Sequence, residues 1–220
     1  MNKRSRYLDQ FFTLQCCGDV INAVTPLNKA AKEITEAMAV VRRLKPFFLK
    51  RPMEVTLVDL AAGNALTTIL AAHLLPVKMT YAVDKDPRRR PGHAKVERFL
   101  YLQEDIFRPD WACTLGELDV GCSVLVSVHP CAALATRIVD LYLATPRAIG
   151  LVLMPCCHGP QDTPKRIPTA FRQRISGYDA WAWWLAERAG GDLVVDRDVL
   201  SPCNAIVVAR KSVLKAVEGI

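Results

Sequence analysis

Three carboxylates each close an apolar run: Asp59 after Val55-Thr56-Leu57-Val58, Asp84 after Met79-Thr80-Tyr81-Ala82-Val83, and Asp105 after the run near 98–103. Between the first two lies a small-residue loop, Ala61-Ala62-Gly63-Asn64-Ala65. Small side chains there let a backbone approach a ligand closely, and a glycine can adopt φ > 0. An acid at Asp84 can accept hydrogen bonds from both hydroxyls of a ribose lying across two strand ends. Asp105 suits an exocyclic adenine amine and Ile106 the face of the ring. Residues of these types in this order point to a bound nucleoside, gripped by Asp59, Ala61, Gly63, Asn64, Asp84, Asp105 and Ile106. A strand-end carboxylate can instead simply cap the next helix.

Two Cys/His clusters follow, Ser127-Val128-His129-Pro130-Cys131 and Met154-Pro155-Cys156-Cys157-His158-Gly159. An imidazole titrates near neutrality, and a positioned base contributes about 10²–10⁴-fold to a proton transfer. His129 is the first candidate base and His158 the second, with Cys131 beside the reacting group and Cys156 and Cys157 facing the substrate. Each has an ordinary alternative: strand-end cysteines are commonly small buried hydrophobes, and a histidine before proline can merely turn the chain. The ligand types would suit zinc. Adjacent cysteines and a His-x-Cys on extended strand ends rarely point the same way, so no metal is expected.

The elements that must position these groups alternate. Strands are expected near 55–60, 79–84, 98–103, 123–128, 148–154, 193–197 and 204–210, with helices at 65–75, 131–144 and 171–189. The stretch 86–97 reads as irregular because of Pro87 and Pro91, and 108–119 as a weak helix at best. Alternation predicts an α/β fold with a mostly parallel sheet and helices on both faces. The last two strands are too close for a crossover helix, so they form an antiparallel hairpin. Apolar residues from Ile21 to Leu44 recur at helical spacing and predict one helix from Asp19 to Lys45, ended by Pro46 and Pro52. The expected layout is a helical extension over 1–52 packed on the sheet, and a cofactor-binding domain over 53–220. The stripe Ile175, Tyr178, Trp181, Trp184, Leu185 reads as core packing rather than base stacking.

The chain has 220 residues, 51% apolar and 23% charged, which excludes wholesale disorder. It shows neither a secretory leader nor a run long enough to span a membrane, so a cytoplasmic protein without membrane partners is expected. Its eight cysteines are read as reduced thiols. The net charge of +7 favours a polyanionic partner. Basic residues gather at 85–90 and 165–174, where Arg88 and Arg166 are candidates to hold RNA; the alternative is two solvated loops. The single loop glycine cannot form Gly-x-Gly-x-x-Gly, which disfavours NAD and suits S-adenosylmethionine, a cofactor without phosphate.

Val128-His129-Pro130-Cys131-Ala132-Ala133-Leu134 followed by Met154-Pro155-Cys156-Cys157-His158 resembles the methyltransferase-domain family that includes the acceptor-stem tRNA 2′-O-methyltransferases. The resemblance runs from about Val55 to Lys211. It implies a Rossmann-like class I methyltransferase fold, S-adenosylmethionine as cofactor, and methyl transfer, with RNA the substrate of the family's best-known members. Ala132 stands where the family has glycine, the acid often following is missing, and no Cys-x-x-Cys pair supplies the zinc-finger modules of the tRNA enzymes. An Asp/Asn-Pro-Pro-Tyr/Phe motif is absent at strand four, which argues against a base-amine acceptor.

The favoured reading is therefore RNA modification at a ribose hydroxyl, with a helper protein choosing the target. The alternatives are a methyltransferase for a small molecule or protein side chain, and a non-catalytic assembly factor that binds S-adenosylmethionine or RNA. A dehydrogenase is the remaining one.

Overall fold

A computed structural model describes residues 5–86, 88–118, 121–156 and 176–211. The central sheet has seven strands: β1 (Val55–Leu60), β2 (Thr80–Asp84), β3 (Phe99–Gln103), β4 (Cys122–Val128), β5 (Ala148–Met154), β6 (Gly191–Val195) and β7 (Ala205–Arg210). Their order is β3-β2-β1-β4-β5-β7-β6. The first five are parallel, while β7 runs antiparallel to both β5 and β6. This is the anticipated Rossmann-like layout of class I methyltransferases, ending in a reversed hairpin.

Every residue of β1 and β5 is buried, as expected of parallel strands covered on both faces. Alternation along the strand sends neighbours to opposite layers. Leu57, Val124 and Val126 pack with the helices α1 (Arg6–Phe12), α2 (Cys17–Val24), α3 (Ala30–Leu49) and α4 (Leu66–Leu74). Val58 and Leu125 pack with α5 (Trp111–Leu118), α6 (Ala133–Ala144) and α7 (Gly177–Ala189). The N-terminal helices thus share one core with the sheet. At the closest approach of α3, a Cβ on Gly150 of β5 would collide with the Phe47 ring.

Four local expectations need correction. The single helix 19–45 is two, separated at Thr25-Pro26, where Thr25 is extended and Pro26 offers no N–H. Pro46 lies inside α3 and does not end it; the buried rings of Phe47 and Phe48 hold the last turn. The segment taken as a weak helix is a full one, anchored by Trp111 and Leu115. Strand β6 starts two residues early, because Gly190 caps α7 at φ +65° and delivers the chain straight into the sheet.

Residues 88–97, the described part of the stretch read as irregular, are so apart from a 3₁₀ turn at Pro91–Lys95. Trp181 and Leu185 of α7 are fully buried, as core packing requires. The part of the anticipated helix before residue 176, and the second basic cluster, lie outside the described residues. No described helix is long and apolar enough to cross a membrane.

Candidate active site

Strand order reverses between β1 and β4, and in open α/β sheets ligands bind in the crevice beyond the strand ends at that point. Here that crevice is a cavity of about 760 Å³ lined by residues from β1, β2, the β3–α5 turn, the β4–α6 turn and α3.

On the β1 side the chain makes a tight loop in which Ala61 (φ +61°), Gly63 (φ +57°) and Ala65 (φ +62°) are all left-handed. Such a backbone is strained for alanine and easy for glycine. Gly63 N–H donates to Asp84 Oδ2 at 2.8 Å, so the acid of β2 braces the loop that follows β1. Tyr101 of β3 donates to Gly63 O at 3.1 Å, reinforcing the same turn. Asn64 accepts from Leu66 N–H at 3.1 Å, at the entry to α4, and its amide donates to Glu33 of α3 at 2.8 Å.

Asp59 is 2% exposed. Its Oδ2 accepts from the Thr68 hydroxyl at 2.6 Å. Its Oδ1 has no hydrogen-bond partner among the described residues. Burial pushes this carboxyl up to about 7, with the nearby charge of Asp84 adding to the rise and the Thr68 hydroxyl opposing it. A buried carboxylate oxygen without a partner is costly, and a cationic group in the cavity would satisfy it. Asp84 also lines the cavity, and its second oxygen, Oδ1, accepts from Asp86 N–H at 3.0 Å. Past β3, Asp105 Oδ1 accepts from Phe107 N–H at 2.9 Å. Ile106 is buried beneath it, while the exposed ring of Phe107 also lines the cavity. The residues therefore suit S-adenosylmethionine: an unpaired acid for its ammonium, an acid for its ribose, and an acid with apolar side chains for its adenine.

Across the cavity, β4 is followed by His129, again left-handed at φ +62°, with its N–H donating to Met154 O at 2.7 Å. His129 Nε2 lies 2.5 Å from Glu36 Oε1 and 3.1 Å from Lys32 Nζ. Lys32 in turn contacts Glu36 at 2.9 Å and 3.2 Å. Both partners come from α3, one helical turn apart. Burial raises the Glu36 carboxyl, but the contacts with His129 and Lys32 outweigh it and hold the group below its usual range. Cys131 lines the cavity too, and its Sγ lies 2.6 Å from that of Cys156, just past β5. The Cys203 thiol of the β6–β7 connection contacts Cys156 O.

The structure thus gathers Asp59, Ala61, Gly63, Asn64, Asp84, Asp105, Ile106, His129 and Cys131 around one cavity, with Cys156 against Cys131. Arg88 also lines it, but beside the Gly63 loop rather than beside His129. Cys157, His158 and Arg166 lie outside the described residues. Among the described residues no group of three or more His, Cys, Asp and Glu is arranged to hold a metal ion.

Sequence reasoning missed Lys32, Glu33 and Glu36. The available signal was Glu36 standing within the otherwise uncharged run Ile34 to Val41. From Ile34 to Val41 every residue of α3 is buried, which makes Glu36 exceptional only after the helix is docked.

No family model and no curated protein matches the chain. Among solved structures it is similar to an uncharacterized protein from Listeria monocytogenes serotype 4b, at 10% identity and a TM-score of 0.45, covering 80% of this chain and 66% of that one. It is also similar to the antibiotic-resistance methyltransferase Kmr, at 16% identity and a TM-score of 0.40, covering 71% and 87%. A third is an O-methyltransferase family protein from Burkholderia thailandensis, at 14% identity and a TM-score of 0.40, covering 94% and 70%.

Proposed function

We propose that this chain is an S-adenosylmethionine-dependent methyltransferase acting on RNA, at a ribose hydroxyl. The observation that carries the reading is the single cavity at the β1/β4 reversal, with the unpaired Asp59 Oδ1 and Asp84 on one side and His129 on the other. When bound, the cofactor supplies an electrophilic methyl group on a sulfonium centre. The chain's own residues then have two tasks, alignment and removal of one proton. Asp59, Asp84 and Asp105 hold the cofactor's ammonium, ribose and adenine, and the Gly63 loop lets the backbone come close. His129 takes the proton from the acceptor hydroxyl. RNA as substrate is supported by the net charge of +7 and by exposed Lys85 and Arg88 on the cavity lining.

Two measurements test this. Calorimetry is expected to show binding of S-adenosylmethionine and none of NAD; the reverse result overturns the reading. Mass spectrometry of tRNA and rRNA nucleosides, from cells with and without the protein, is expected to show loss of one 2′-O-methylated nucleoside. Cofactor binding with unchanged nucleosides would move the acceptor to a small molecule or protein side chain.

A further inference from the structure

Past His129 the chain turns through Pro130 and Cys131 toward α6, and past β5 it runs through Pro155 to Cys156. The parallel register pairs Val128 with Met154, so the two cysteines follow close behind one another on adjacent strand ends. Adjacent strands lie about 4.8 Å apart, inside the Cα separation of about 4.4–6.8 Å that a disulfide spans. The His129 N–H bond to Met154 O holds the two segments together at this point. The side chains complete the approach. Cys131 Sγ and Cys156 Sγ stand 2.6 Å apart, both as thiols.

The two thiols differ in access. Cys131 is exposed and lines the cavity, whereas Cys156 is half-buried. A dissolved oxidant therefore meets Cys131 first and finds a second thiol within reach of the product. Redox-sensing sites combine these two features, an accessible cysteine and a resolving cysteine beside it. The Cys203 thiol contacts the Cys156 carbonyl oxygen, which makes it the competing resolving group. Cys113 on α5 is exposed as well and serves as an internal comparison.

We propose that Cys131 and Cys156 form a site of reversible oxidation by hydroperoxides, in which Cys131 reacts first and Cys156 resolves it to a disulfide. The Cys131 sulfur attacks one oxygen of hydrogen peroxide and the O–O bond breaks. The departing oxygen takes the thiol proton and leaves as water, and Cys131 becomes a sulfenic acid. The Cys156 sulfur then attacks the Cys131 sulfur, the S–O bond breaks, and a second water carries off the Cys156 proton. In sum the two sulfurs lose two electrons and the peroxide gains them. A dithiol reverses the reaction by exchange. The bridge adds a covalent tie between the turn that carries His129 and the end of β5, so the oxidant acts on the substrate side of the cavity.

The test treats the full chain with hydrogen peroxide, alkylates the remaining thiols, and locates any bridge by peptide fragmentation in a mass spectrometer. The expected result is a Cys131–Cys156 link that dithiothreitol removes. A link between another pair, Cys131 with Cys157 or Cys203 included, or no link at all, overturns the proposal. In Cys156→Ser the sulfenic acid should persist on Cys131 and be captured by dimedone. Capture at Cys113 ahead of Cys131 is the contrary result. Thermal melting gives a second readout. A bridge between positions 25 residues apart should raise the midpoint of the oxidised protein by roughly 5–10 °C, with no such rise in Cys156→Ser. A lowered midpoint would show that the thiols do not stand ready to join. None of these measurements needs cofactor or acceptor, so their outcome is independent of the methyltransferase reading.

Discussion

The two sides of the cavity are built by different means. On the β1–β2–β3 side, each critical bond pairs a side chain with a backbone group: Gly63 N–H to Asp84 and Tyr101 to Gly63 O between strand ends, Phe107 N–H to Asp105 within one turn. On the β4 side, the critical contacts are side chain to side chain and span 97 residues, from Lys32 to His129. The first arrangement follows from the order of the strands and tolerates change in most side chains. The second exists only because α3 lies across the sheet, and three particular side chains carry it.

The most severe way to break the first side is Asp59→Asn. Losing a charged hydrogen-bond partner is expected to weaken S-adenosylmethionine binding by roughly 10–100-fold, read by calorimetry. The ligand-free protein should respond in the opposite sense. A carboxyl raised from 3.8 to about 7 contributes stability that is present below its ordinary value and lost as pH climbs through about 7. At pH 8 the asparagine variant is therefore expected to be more stable, with roughly 4 kcal/mol as the upper bound, measured by denaturant titration. A cofactor ammonium favours the ionised form, so affinity in the unmodified protein should rise with pH through that range and stay flat in Asp59→Asn.

A smaller effect is expected from Gly63→Ala. The added Cβ would meet Arg88 Nη1 at 3.6 Å, an ordinary contact. The cost is then the left-handed backbone alone, about 1–2 kcal/mol, seen as a lower melting temperature with modestly weaker cofactor binding. A loss far above this would mean that the loop is sterically crowded rather than conformationally strained.

The mildest change sharpens the second side. Ala132, at φ +45° and ψ −115°, sits where the resembling family carries glycine. Ala132→Gly should therefore stabilise the protein by roughly 0.5–1 kcal/mol, shown by a shifted denaturation midpoint. Destabilisation would show instead that the alanine methyl is held by packing strong enough to outweigh the strain.

Much of this was readable in the chain itself. The runs before Asp59, Asp84 and Asp105 announced three parallel strands whose following acids line one cavity, because strand period, turn residues and strand-end acids are local signals. The short gap before Ala205 required the final hairpin. Helix boundaries were less legible: Pro46 looked like a stop and is not, since tertiary burial of Phe47 and Phe48 overrides a local preference.

What only the tertiary structure decided is the company His129 keeps. A histidine before proline at a strand end says nothing about which acid will meet it. Lys32 and Glu36 read locally as an ordinary i,i+4 ion pair of the kind that decorates helix surfaces. Docking α3 over β4 and β5 buries Glu36 and places the half-buried Lys32 beside the ring. Long-range side-chain contacts depend on how whole elements pack, a property that no window of sequence contains.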